Sequence, residues 1–201
     1  NAEGFQSGVK DALSALRRGE VLHWLALLQC SDLMLDILLG YLALYMVDVA
    51  HVTPAQAGLA VAVWSGLGLL GDLLIIPLLE RVPGLHYLRI SAAVELGLFV
   101  AFLIVPYFLT KIVLLGLLGL FNAGWYAILQ AQLYSAMPGR SGTALTLTNL
   151  AGLVGALIPW GLGLVAQRFG LRIAMWLLIF GPLAVLLGLP RHLSSGISHE
   201  M

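Results

Sequence analysis

Six apolar stretches follow one another along this chain with only short polar connections between them. In hydrocarbon no water can satisfy backbone N–H and C=O groups, so a run of about 20 apolar residues predicts a helix that pairs those groups within itself. The pattern places spans at residues 22–47, 55–79, 87–109, 112–136, 142–166 and 171–189. The cleanest, Ala55 to Leu79, carries Asp72 as its one formal charge. Ahead of the first span, Val9, Ala12, Leu13 and Leu16 recur at helical spacing while Lys10, Arg17 and Arg18 take other positions. That is the pattern of a short amphipathic helix lying on a membrane surface. The chain thus divides into a basic linker at 1–20, an all-α transmembrane bundle of six helices at 21–190 and a tail at 191–201.

Composition removes the soluble alternative. With 60% hydrophobic and 10% charged residues and a mean hydropathy of +0.97, the chain lies far from a soluble domain, where about 25% of residues are charged. A formal net charge of zero leaves no basic stripe for phosphates, which argues against a nucleic-acid partner. Cys30 stands alone, so no intrachain disulfide is expected, and no His/Cys cluster has the spacing of a metal site. The first residue is Asn1 rather than Met, so an upstream segment is expected.

Six spans put both ends on one side. Of the ten Lys and Arg, Lys10, Arg17, Arg18, Arg81, Arg89, Arg140 and Arg191 fall on that side, against Lys111, Arg168 and Arg172 on the other. The excess predicts cytoplasmic termini and a multi-pass protein of the cell membrane.

Charges inside a bilayer are costly, which makes each one a functional candidate until a partner is found. Asp32 and Asp36 stand four residues apart in the first span, on one helix face and near mid-depth. Two carboxylates so close do not both ionise easily, so one is expected to hold a proton or a cation. The pair reads either as a proton or cation site facing a cavity, or as an interhelical hydrogen-bonding pair. Asp72 and Glu95 share a depth in the second and third spans and read as structural, within reach of an inner-loop arginine such as Arg89.

Small residues form stripes at Gly58, Ala62 and Gly66 on the second span, and at Ala151, Gly155, Pro159 and Gly163 on the fifth, as close helix packing requires. Pro159 removes a backbone hydrogen bond and allows a bend. The fourth and fifth spans are the more polar pair. Asn122, Tyr126 and Gln130 repeat every four residues and so share one face; with Trp125 and Asn149 they read as a cavity wall or as an interhelical network.

Two strings resemble catalytic or cofactor motifs but lack their context. Gly66-Leu67-Gly68-Leu69-Leu70-Gly71 spells a dinucleotide fingerprint, yet it lies within an unbroken apolar run rather than between a strand and a helix. Gly139-Arg140-Ser141-Gly142 resembles the serine motif of membrane-embedded proteases, but His23, His51, His86, His192 and His199 all fall at span ends or outside spans. No base is placed for that serine, so no enzyme activity, cofactor or metal is expected.

The connection Pro77-Leu78-Leu79-Glu80-Arg81-Val82-Pro83-Gly84-Leu85-His86-Tyr87-Leu88-Arg89 resembles the acidic-basic loop of major facilitator superfamily (MFS) transporters, in the weaker copy between their eighth and ninth helices. Glu80 takes the acidic place, Arg81 the adjacent basic one, Gly84 the turn glycine and Arg89 part of the basic end. Pro83 is an extra residue, and His86-Tyr87 dilutes the basic run. The segment from Pro138 through the Gly-rich fifth span to Gly170 is similar to the tenth-to-twelfth helix region of bacterial members. The basic linker is similar to the one joining the two halves.

The resemblance implies the C-terminal six-helix half of a secondary transporter, completed by an N-terminal half and alternating access about a mid-depth site. It makes Glu80, Arg81, Gly84 and Arg89 a cytoplasmic gating loop. Asp32 and Asp36 are the expected coupling or substrate residues, with Asn122, Trp125, Tyr126 and Asn149 on the cavity wall. The expected partners are a small solute, H⁺ as coupling ion and the lipid bilayer. The competing expectation is a non-transporting membrane scaffold or assembly subunit.

Overall fold

Helical spans at Gly19–Asp48, Pro54–Leu79, Gly84–Ile104, Phe108–Ser135, Gly142–Phe169 and Leu171–Gly188 build the computed structural model of the chain, which describes residues 18–139 and 141–190. Each is long and apolar enough to cross a membrane, and no strand occurs among the described residues. The amphipathic pattern at 9–17, Arg140 and the tail at 191–201 lie outside the described residues.

The connections are set by local chemistry. Thr53 caps the second span through a reciprocal box: its hydroxyl accepts the Gln56 N–H at 3.3 Å, and the Gln56 side chain accepts the Thr53 N–H at 3.0 Å. Pro54 follows at the first helical position, where a missing N–H costs nothing. The third span ends at Ile104, five residues before the hydropathy pattern does. Val105 is extended (ψ 131°) because Pro106 excludes the helical conformation from the residue before it.

That early stop relocates Lys111. Sequence reading puts it in an outer loop, but the fourth span starts at Phe108 and buries it, only 3% exposed. Its ammonium donates to the Phe102 carbonyl at 2.5 Å and lies 4.5 Å from the Phe102 ring centroid and 5.2 Å from that of Tyr45. Phe102 is in the last turn of its helix, so Lys111 satisfies a carbonyl that the helix itself cannot.

Four of the six spans are interrupted partway. The first contains a π-helical turn at Leu33–Ile37. The fourth breaks after Asn122 and resumes at Trp125. The fifth is divided at Ala156, three residues before Pro159, and the sixth at Leu178–Ile179, just ahead of Pro182. A proline has no N–H for the carbonyl four residues back and its ring crowds that carbonyl, so both divisions fall where the prolines dictate.

Small residues do bring helices together, at positions other than some of those expected. A Cβ on Gly58 or Gly66 would meet nothing, whereas one on Gly71 would sit 2.6 Å from the Ala123 Cβ and 2.9 Å from the Leu120 carbonyl. Gly68 abuts Gly119 at 3.5 Å, and a side chain on Gly119 would strike the Trp64 carbonyl. The second and fourth spans therefore cross backbone against backbone, and two glycines of the apparent nucleotide fingerprint form part of that crossing. On the fifth span the expected stripe holds in part: Gly155 packs on Gln29, and Gly163 lies beside Tyr41, whose hydroxyl donates to the Pro159 carbonyl at 2.6 Å.

Two hydrophobic clusters fill the bundle. One gathers Val21, Trp24, Leu28, Leu88, Trp125, Leu129, Leu133 and Val185; the other gathers Met34, Leu38, Leu42, Trp64, Phe99, Phe102, Leu118 and Met175. Along the first, third and fourth spans the switch from one cluster to the other falls at a polar residue: Asp32 between Leu28 and Met34, Glu95 between Ala92 and Phe99, Asn122 between Leu118 and Trp125. A polar layer thus divides the core near mid-span.

Candidate functional site

The polar layer opens into two adjoining cavities. The larger, about 730 Å³, includes Asp36, Trp64, Asp72, Asn122, Trp125 and Tyr126 in its lining. The second, about 530 Å³, is lined by Gln29, Asp32, Asp36, Tyr126, Thr148 and Asn149 among others. Leu35, Asp36 and Tyr126 line both. Every residue that sequence reading named for coupling or the cavity wall (Asp32, Asp36, Asn122, Trp125, Tyr126 and Asn149) is brought to one or both of these spaces.

The π turn positions the first pair. It begins directly after Asp32 and contains Asp36, an arrangement frequent at functional sites because the extra residue re-aims nearby side chains. Gln29 donates to Asp32 Oδ2 at 3.3 Å, and Asp36 is exposed to the cavities.

The break in the fourth span sets the opposite wall. Ala123 is extended (φ −53°, ψ 138°) and Gly124 is left-handed (φ +74°), so the helix ends and restarts within the apolar run. Glycine is required twice over at 124: the φ is costly for any L side chain, and a Cβ would meet Ile75 Cγ1 at 2.9 Å. The freed backbone groups find partners on neighbouring spans. Asp72 Oδ1 accepts the Gly124 N–H at 3.0 Å, while the Tyr87 hydroxyl donates toward the Ala123 carbonyl at 3.0 Å and the Phe121 carbonyl at 3.3 Å.

This break undoes the four-residue face expected of Asn122, Tyr126 and Gln130. Asn122 turns inward, 2% exposed, and donates through Nδ2 to Glu95 Oε1 at 2.9 Å, whereas Tyr126 projects into the cavities at 37% exposure. Trp125 lies fully in the core, its indole N–H directed to Ser91 Oγ at 2.9 Å and the Phe121 carbonyl at 3.0 Å. It backs the cavity wall and offers no free donor.

Among the described residues, Glu95 and Asp72 meet no arginine, contrary to the expectation from their depth. Glu95 is 1% exposed, with Asn122 as its hydrogen-bond partner, and Arg89 instead donates to the Pro190 carbonyl, tying the start of the third span to the end of the sixth. Of the remaining loop residues, Glu80 closes the second span, Arg81 is exposed in the turn, and Gly84 opens the third span. The turn is held by Arg81 and Val82 N–H groups on the Leu78 carbonyl, at 3.0 and 2.9 Å.

Among the described residues, three buried side-chain polar atoms have no hydrogen-bond partner: Trp64 Nε1, Asn122 Oδ1 and Glu95 Oε2. Trp64 escapes sequence reading; its only signal is a tryptophan well inside a span, away from the interfacial level that tryptophan favours. Tyr87 and Ser91 escape it too, because their partners belong to the unforeseen break.

The class defined by fold and site is an all-helical, multi-pass membrane protein with cavities at mid-span that carry acidic and amide side chains in a largely apolar lining. Compared with models of known families and with curated proteins, the sequence matched neither.

Proposed function

We propose that this chain is a six-helix half of a secondary transporter of the major facilitator type, moving a small solute by alternating access with H⁺ as coupling ion. The observation that carries the reading is the pair of adjoining cavities at mid-span, whose lining brings Asp32 and Asp36 together with Tyr126 and Asn149 among interrupted helices. Carboxylates at that depth are costly unless they bind something, and broken helices around a mid-membrane cavity are how transporters expose backbone polarity to a solute. In this reading the Glu80-to-Arg89 connection is the cytoplasmic gate, both ends of the chain are cytoplasmic, and an N-terminal six-helix half completes the cavity in the cell membrane.

The test is flux in proteoliposomes made with the full-length protein. Solute-driven proton movement, followed with an entrapped pH-sensitive dye, is expected for the parent and reduced in Asp32→Asn and Asp36→Asn. Equal flux across pH in both variants removes the proton role. A protein that moves no solute under any imposed gradient is a scaffold or assembly subunit, and its polar layer serves only to join helices.

A further inference from the structure

The larger cavity has a chemical bias beyond its position. Among the described residues that line it, only Asp36 and Asp72 are of ionisable type with a formal charge, and both are acidic; none of the lining residues is Lys, Arg or His. Asp72 has one carboxyl oxygen on the Gly124 N–H, leaving the other for a ligand. The rest of the lining is mostly aliphatic and aromatic, as small-molecule sites usually are. An anion entering here meets carboxylates and no counter-charge, whereas a cation meets carboxylates and aromatic faces.

A buried orphan group adds direction. Trp64 lines this cavity and is 7% exposed, and its Nε1 is a donor with no hydrogen-bond partner among the described residues. Buried polar atoms without partners are rare enough to call for an occupant. Trp64, Gly68 and Asp72 recur every four residues on the second span, so they share a face. The backbone positions of Trp64 and Asp72, eight residues apart, are separated by about 12 Å along the helix axis, with glycine between them.

We propose that this cavity binds an organic ammonium ion: a protonated amine on an apolar, aryl-bearing body about two helical turns long, with a hydrogen-bond acceptor at its far end. The ammonium group sits between Asp36 and Asp72. The body lies along Gly68, and Trp64 donates to the distal acceptor. The assignment names the solute class for the transport reading above and rests on it, but the site is measurable by binding alone.

The probes are 4-phenylbutylammonium, 4-phenylbutanol and 4-phenylbutyrate, one body with a cationic, neutral or anionic head, together with the 4-methoxyphenyl form of the amine. Binding to the purified chain in non-ionic detergent is read from tryptophan fluorescence, with empty micelles subtracted. The amine is expected to bind saturably and at least about tenfold tighter than the alcohol, with the carboxylate weakest, since a charge-assisted hydrogen bond alone supplies that factor. Asp36→Asn and Asp72→Asn each lower amine affinity about tenfold and leave the alcohol unchanged, which also reports that the variants are folded. The methoxy group tightens binding in the parent and not in Trp64→Phe. Equal binding of all three head groups, or amine affinity unmoved in the double aspartate variant, overturns the assignment. Amine binding without flux keeps this site and removes transport; flux of a solute with which the amine does not compete keeps transport and overturns this site.

Discussion

The carboxylate of Asp72 on the second span accepts the backbone N–H of Gly124 on the fourth at 3.0 Å, at the point where the fourth helix releases its own hydrogen bonds. A charge within the membrane and a break within a helix are each unfavourable there. Placed together, each supplies the partner that the other lacks.

Gly124→Ala tests whether that break is obligatory. The left-handed φ of +74° costs about 1–2 kcal/mol for an L side chain, before the clash with Ile75 is counted. Unfolding in detergent, followed by tryptophan fluorescence, is expected to show a loss of at least that size. Unchanged stability would mean that the fourth span can run straight.

Tyr87→Phe removes the hydroxyl that serves the Phe121 and Ala123 carbonyls and nothing else of the ring. A loss of about 1–2 kcal/mol is expected. The same substitution at Tyr107, which is 73% exposed, is expected to change stability little, and the pair of melts separates the effect of the break from that of losing any hydroxyl.

Glu95 and Asn122 form a buried pair in which shape matters more than charge. Glu95→Gln keeps an acceptor for the Asn122 amide and relieves a fully enclosed group of any need to ionise, so stability is expected to stay within about 1 kcal/mol of the parent. Glu95→Leu strands the amide and is expected to cost about 1–3 kcal/mol. A Gln variant as damaged as the Leu variant would show that the charge itself holds the pair.

Lys111→Met retains most of the aliphatic stem but removes the ammonium from the Phe102 carbonyl and from two aromatic rings. A loss of about 1–3 kcal/mol is expected, comparable to other desolvated cation–aromatic contacts with a hydrogen bond added. If Lys111 were the loop residue that hydropathy suggests, the variant would melt like the parent.

Hydropathy locates the spans because it averages over some 20 residues, and for the same reason it misses what happens within them. All six spans lie within a few residues of their expected places, except where Pro106 ends the third early and Lys111 is drawn inside. Asn122-Ala123-Gly124 is too short and too apolar to interrupt a hydropathy average, yet one glycine with positive φ there turns Asn122 to Glu95 and Tyr126 to the cavities. Asp32 and Asp36 were legible as a pair because they are charged in an apolar run. Trp64 was not, because an unpaired indole N–H is a property of its surroundings rather than of its sequence neighbours.

The interruptions of the first, fourth, fifth and sixth helices are not scattered. Gln29, Asp32 and Asp36 of the first span share a cavity with Tyr126, just past the break in the fourth, and Gln29 also packs on Gly155, beside the break in the fifth. Gly181, beside the break in the sixth, lies against Cys30 and Leu33 at the start of the π turn. Two apolar blocks thus meet where four of the six helices are discontinuous, while the third span runs unbroken from one block into the other. A ligand seated between the blocks would touch several helices at the points where each gives up its own backbone hydrogen bonds.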